Sequence, residues 1–204
     1  MKTESDLNSD TLDVENRIIY LNEKDDTVET PGVDYRMAQT FIKNINSLQN
    51  ISDDPIIIYM QTVGGCWYSG MGIYDAIKLS KCKVAMIGYS LLCSMGSIIM
   101  QSADRRILMP NCAFMCHYGT TNASGDFLSA HNYARFDKIN MQTMIDIYAA
   151  KCQNGEFFKE RGDSLSKIKS YIKRKLKDGD WYMTAEEAVH YGFADTIMSR
   201  SLKI

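Results

Sequence analysis

Between Pro55 and Gly64 the chain runs Ile56-Ile57-Ile58-Tyr59-Met60, apolar or aromatic at every step. A strand with one face in water alternates apolar and polar residues; a strand apolar throughout is covered on both faces. Lys83–Gly88 (KVAMIG) is a second run of this kind. Strands covered on both sides occur in parallel sheets flanked by helices, and this requirement limits the fold more than any other feature.

The remainder of the chain supplies those helices. Apolar residues at Met37, Phe41, Ile42, Ile45 and Leu48 have helical spacing within Val33–Leu48, and Ser69–Ser80 also reads as helix. Arg17–Leu21 (RIIYL) is a short strand; Arg106–Met109 and Ala113–His117 are two more, separated by Pro110-Asn111. Leu128–Lys151 is a long helical pattern whose polar early part is expected to project from the body. Residues 154–178 are charged and amphipathic, with Leu165, Ile168, Ile172 and Leu176 on one stripe. Thr184-Ala-Glu-Glu187 is a capping box that opens a helix ending near Gly192, and Phe193–Met198 reads as a last strand. The class is α/β, in one domain over residues 17–204. Residues 1–16 are acidic and polar and are expected to be mobile or ordered on a partner.

Composition narrows the setting. A net charge of −2 gives no basic field for nucleic acid. No apolar run reaches membrane-spanning length, and the N-terminus has no apolar signal core. The 13 Met and 12 Tyr read as core filler and half-buried surface. Six scattered cysteines without a CxxC pair point to a reducing cytoplasm. Cys112-x3-Cys116-His117 has a metal-like look. On a strand, however, Cys112, Phe114 and Cys116 share one face and His117 takes the other, which argues against zinc.

The chemistry centres on Tyr89–Met100, YSLLCSMGSIIM, an apolar stretch holding three serines and a cysteine. Each buried polar group needs a partner. Ser94 reads either as a helix hydroxyl bonded back to the preceding turn or as a nucleophile. Gly64-Gly65 is a tight turn after the first buried strand, or a place where the backbone approaches a substrate and offers an N–H. Lys83–Gly88 likewise runs into Ser90–Ser94, read as the turn into a helix; if the two buried strands are neighbours, both turns lie at one sheet edge, where ligands bind in α/β folds. No phosphate-binding glycine motif is present. Of the three histidines, His131 is expected to be exposed and His190 to serve the C-terminus of its helix. His117, at a strand end beside a loop, reads as a core imidazole or a general base. Asp178, Asp180 and Asp195 are the late carboxylates that could orient it.

Four stretches, in order, carry a resemblance. YSLLCSMGSIIM resembles the nucleophile segment of the ClpP-type self-compartmentalising serine peptidases, built on Ser-Met-Gly. TVGGCWYSGMGIYDAI (62–77) is similar to that family's S-P-G-G…G-M-x-I-Y-D segment. AFMCH (113–117) is similar to its strand ending in the catalytic histidine, and DWYMTAEEAVHYGFADTI (180–197) to its D-x-x-[ML]-[ST]-A-x-E-A-x-x-Y-G-x-x-D. The resemblance implies a ClpP/crotonase-type stack of ββα units with a projecting handle at about 127–178. It implies Ser94 as nucleophile, His117 as base and Asp180 as the orienting carboxylate, with Gly65 and Met95 as backbone oxyanion donors. Asp195 then matches a later, non-catalytic aspartate, and Ser90 and Ser97 are structural. It further implies peptide or unfolded-protein hydrolysis inside a homo-oligomeric ring, heptameric and single or double. No cofactor or metal is implied; ATP would be used only by a partner AAA+ unfoldase.

The chain departs from that pattern in places, as a divergent or phage-encoded member would. The family's proline before Gly64 is Val63; the glycine-rich substrate strand is YGTTNASGDF; Gln153–Lys177 is longer; and Trp181 stands where many members have an inter-ring arginine. The N-terminus lacks the apolar segment that lines the family's axial pore. The competing readings are a capsid-maturation protease of the same fold, a non-catalytic ring subunit, a crotonase-type acyl-CoA enzyme, and a Cys93 nucleophile.

Overall fold

The structure, a computed structural model, describes residues 11–21, 32–120 and 125–202. Its centre is a parallel ladder. Strand β1 (Leu12–Asp13) pairs antiparallel with β2 (Ile18–Leu21), and β2 lies parallel to β4 (Ile56–Thr62). Next come β6 (Val84–Cys93), β7 (Arg105–Leu108) and β10 (Thr196–Ile197), all parallel. Ile56, Ile58, Met60, Val84 and Met86 are essentially inaccessible to solvent, as apolar runs in a covered sheet require. A two-residue pairing joins β3 (Gly32–Val33) to β5 (Gly64–Gly65).

Helix α1 (Tyr35–Ile51) starts at Asp34, whose Oδ1 accepts from the N–H groups of Arg36 and Met37 at 2.8 Å each. It buries Met37, Phe41, Ile45 and Leu48, on the order of 1.5–3 kcal/mol apiece. Ile42, expected on that stripe, lies on the exposed side. It is one position past Phe41, about 100° round the helix. Arg17 fastens the far end: its guanidinium donates to the carbonyls of Leu48, Ser52, Asp54 and Pro55. Helix α2 (Trp67–Lys78) packs against α1.

Two expectations need correction. Residues 11–16 are part of the body: β1 adds to the sheet edge, and Leu12 and Val14 are buried in the core. Residues 11–16 thus belong with the body that the sequence placed from 17 onward, because two apolar residues among acidic neighbours suffice for an edge strand. The second concerns Ser90–Cys93, expected as the turn into a helix. The strand instead continues through Cys93. Ser90 adopts φ 55°, the register against β4 shifts beyond Met60, and β6 changes its partner on one side. Ala85–Gly88 pair with β7, whereas Leu91–Cys93 pair with β8 (Ala113–Cys116). A bulge of this type re-aims a strand.

After β6 come the short helix α3 (Met95–Ile99) and a 3₁₀ turn, Met100–Ser102. Helix α4 (Phe127–Cys152) has all its buried residues from Met144 onward, so its first two-thirds stand off the core. Helices α5 (Glu156–Glu160) and α6 (Leu165–Lys177) follow. Ile168, Ile172 and Leu176 are buried as expected, while Leu165, in the first turn, is exposed. Lys169 Nζ meets Asp146 at 2.7 Å and ties α6 to α4. Trp181 begins β9 (Trp181–Met183) and points inward, 9% exposed, against Tyr171, Tyr191 and Phe193. The capping box opens α7 (Ala185–Tyr191), and Gly192 closes it at φ 85°. His190 pairs with Glu156 of α5 at 3.0 Å. Among the described residues no helix is long and apolar enough to cross a membrane.

Candidate active site

Strand register assembles the site. β8 lies beside β6 with Cys93 opposite Met115, and β9 runs antiparallel to β8 with Cys116 opposite Trp181. Ser94 follows the end of β6, His117 follows the end of β8 and Asp180 precedes β9. Continuing the antiparallel register by one residue sets His117 across from Asp180. The residues expected from sequence thus converge: Ser94 Oγ lies 2.7 Å from His117 Nε2, and His117 Nδ1 lies 3.2 Å from Asp180 Oδ1. A carboxylate only accepts, so the imidazole proton sits on Nδ1, and Nε2 is left to accept from the Ser94 hydroxyl. The side chains are partly exposed, 24% for His117 and 50% for Asp180.

The other late carboxylates are elsewhere. Asp195 is engaged by buried Arg106, accepting from its backbone N–H at 2.7 Å, from Nε at 3.2 Å and from Nη2. Asp178 ends α6. His131 is exposed on α4. Cys112 and Cys116 face the core, where burial pushes both thiols up to about 12, and only His117 turns to the cleft. Burial also raises the Cys93 thiol.

Ser94 sits at φ 52°, ψ −120° between strand and helix. A side chain with φ > 0 is uncommon and costs about 1–3 kcal/mol; such backbone concentrates at functional sites. Bonds to its backbone hold it there, one of them from the Ile98 N–H to the Ser94 carbonyl at 3.4 Å. The Ser94 N–H donates to Met115 O at 2.9 Å; the Ser94 carbonyl accepts from the Ser97 N–H at 3.0 Å and from Ser97 Oγ at 2.6 Å. Ser97 Oγ also meets the Tyr148 hydroxyl of α4 at 2.6 Å. The single Ser97 proton goes to the carbonyl, so Tyr148 donates to Ser97. Both side chains are fully buried, and burial holds the Tyr148 hydroxyl firmly protonated.

Gly64 is required by this arrangement. Its φ is 102°, and a Cβ there would come within 2.8 Å of Ser94 Oγ and 3.0 Å of Cys93 O. Gly65, at φ 150°, passes so close to Val33 that a Cβ would meet the Val33 backbone. At the start of α3, the Met95 N–H has no acceptor within its helix. Ser94, Gly65, Met95 and His117 all line one cleft of about 510 Å³. Its far wall is a single face of α4, Tyr133, Asp137, Asn140, Met141 and Met144. A hydroxyl on an imidazole oriented by a carboxylate, beside a free backbone N–H, can attack a carbonyl and stabilise the resulting oxyanion.

Sequence reasoning missed the Ser97–Tyr148 bond and the α4 wall. The wall was detectable: 133, 137, 140, 141 and 144 follow helical spacing. The Tyr148 contact joins residues 51 positions apart and leaves no local pattern. The expected substrate-pairing segment falls partly on 121–124, outside the described residues.

Comparison with known proteins agrees with this architecture. The Clp protease family matches residues 12–201. The chain is similar to ATP-dependent Clp protease proteolytic subunit 2 of Pseudomonas aeruginosa, 32% identical over 83% of this chain and 78% of the relative. It is also similar to proteolytic subunit 3 of Rhizobium etli, 30% identical over 84% and 82% of the two chains. A plant relative, the chloroplastic proteolytic subunit 6 of Arabidopsis thaliana, is 26% identical over 90% of this chain and 60% of its own length. With a mixed α/β body consistent with the ClpP fold and a match spanning nearly all of it, the chain belongs to the Clp protease family.

Proposed function

We propose that this chain is a serine endopeptidase in which Ser94, His117 and Asp180 form the catalytic relay. The observation that carries this reading is the unbroken series of contacts, 2.7 Å from Ser94 Oγ to His117 Nε2 and 3.2 Å from His117 Nδ1 to Asp180. Ser94 Oγ attacks the scissile carbonyl as His117 Nε2 takes its proton; Asp180 stabilises the imidazolium and keeps its orientation. The N–H groups of Met95 and Gly65 receive the oxyanion, each worth on the order of 10²–10³ in rate. His117 then returns the proton to the leaving amine, and water hydrolyses the acyl-Ser94 ester by the same steps in reverse. Nothing in this sequence of steps calls for a cofactor.

The reading extends to assembly. Identical subunits close into a ring whose inner wall carries the sites, so that only extended chains reach them. The curated relatives are named proteolytic subunits of ATP-dependent proteases, which supports an ATP-consuming unfoldase as partner. The six unpaired cysteines suit a reducing cytoplasm. A non-catalytic ring subunit would have no need of an aligned relay.

The test is intact-mass spectrometry after treatment with a fluorophosphonate, with Ser94→Ala as control. One adduct per chain, absent from the variant, is the expected result. A folded, ring-forming protein that takes up no probe would overturn the peptidase reading.

A further inference from the structure

We propose that Asp137 selects substrates with a lysine or arginine at the residue whose carbonyl Ser94 attacks; this rests on the peptidase reading above. Among the described residues lining the cleft that contains Ser94 and His117, Asp137 is the only Asp, Glu, Lys or Arg. It is half-buried, and among the described residues no hydrogen bond or ion pair engages it. Elsewhere on the same helix Asp146 is held by Lys169 and Gln142, and Asp126 caps the N-terminus. Asp137 is left with its charge facing the cleft.

The depth profile of the wall fits a long cationic side chain. Met144 is 3% exposed, Met141 and Asn140 are half-buried, and Tyr133 is 40% exposed, so α4 leads outward from the core along the cleft. Met95 and Ile98 of α3, both buried, also line it, and with Met141 and Met144 they make its inner part apolar. Asp137 lies four residues before Met141, about 6 Å further out along the helix axis. Lysine and arginine place an apolar stem on apolar surface and carry their charge at the tip. A stem laid along Met141 would bring its cation to Asp137, with Tyr133 and Asn140 beside it. A leucine would fill the inner part and leave the carboxylate unpaired, and a glutamate would meet a like charge. Because Asp137 is half in water, the discrimination is on the order of tenfold.

The experiment uses peptidyl diphenyl phosphonates that differ only in the side chain next to phosphorus: lysine, leucine or glutamate. Ser94 Oγ displaces a phenoxide from phosphorus, so the rate of covalent inactivation reports the fit of that side chain. On the assembled native protein, inactivation by the lysine reagent should be about tenfold faster than by the leucine one, with glutamate slowest. Asp137→Asn should collapse the lysine advantage, and Asp137→Lys should reverse the order of lysine and glutamate. Thermal unfolding of the assembled variants checks that they fold. Fluorophosphonate labelling of Ser94 without any charge discrimination, or ratios unmoved by both variants, would overturn the role of Asp137 alone. Failure of every phosphonate and of the fluorophosphonate would overturn the peptidase reading, and this inference with it.

Discussion

The backbone at Ser94 makes a prediction about stability that is separable from activity. Its φ of 52° costs a residue with a side chain about 1–3 kcal/mol, a cost glycine does not bear. Glycine in turn loses about 0.5–1 kcal/mol more backbone entropy on folding. Ser94→Ala and Ser94→Gly both remove the 2.7 Å bond to His117, so that loss cancels when the two are compared. The Ser97 hydroxyl bonds the Ser94 carbonyl, and both variants keep it. The remaining difference favours Ser94→Gly by about 1 kcal/mol. For a chain of this length that is about 2–4 °C in Tm. Thermal unfolding at matched protein concentration reads it, since assembly makes Tm concentration-dependent. Neither variant should take up the fluorophosphonate. A Ser94→Ala protein as stable as Ser94→Gly, or more so, would refute the claim that the backbone at Ser94 is strained.

Three further outcomes are expected. Ser97→Ala leaves the buried Tyr148 hydroxyl without its acceptor and should cost about 1–3 kcal/mol; adding Tyr148→Phe should restore part of this, a coupling on the order of 1 kcal/mol in a double-mutant cycle by urea unfolding. Asp146 has its carboxyl held below the ordinary 3.8 by the Lys169 ammonium and by Gln142. A lowered carboxyl adds stability that is full above pH 3.8 and drains as pH falls through the folded value, so Asp146→Asn should flatten the acid loss of α6 protection in hydrogen exchange below about pH 4. For Cys66, partial burial pushes the thiol up, but the Ser69 N–H and hydroxyl and the Tyr68 N–H outweigh it and set the thiol below its usual range. With the other five cysteines buried, iodoacetamide at pH 7 should add one group, at Cys66, and slow Ser94 labelling because Cys66 lines the same cleft; uptake at several cysteines would contradict the burial pattern.

What the sequence made legible was whatever is local or repeats. The apolar run at Ile56–Met60 announced a covered strand because coverage on two faces suppresses alternation. Thr184 and Glu187 announced a helix start because a capping box is a contact between residues three apart. Ser94 and His117 were legible as candidates, since each follows a strand, and Asp180 only as one of three late carboxylates; the choice among Asp178, Asp180 and Asp195 needed a registered β8–β9 pair or a family pattern. Leu12 and Val14 were hidden by their acidic neighbours, and their burial depends on β2 being there to receive them. Ser90–Cys93 was misread because the switch of β6 from β7 to β8 is decided by tertiary pairing, with a serine at φ 55° where a glycine would have marked the bulge.

Helix α4 performs two tasks with one rigid body. Tyr133 to Met144 shape the cleft, and Tyr148, one turn later, anchors the turn that carries Ser94. A helix transmits displacement along its length, so a substitution that tilts α4 to admit a different side chain also moves the anchor of Ser94. On the proposed roles of Ser94 and the α4 wall, selectivity and turnover are therefore inherited together in this chain. Variants that broaden the range of accepted residues by moving the helix should lose rate on all of them, whereas exchanges at exposed wall positions, which leave the helix axis in place, are the route by which preference can drift without that loss.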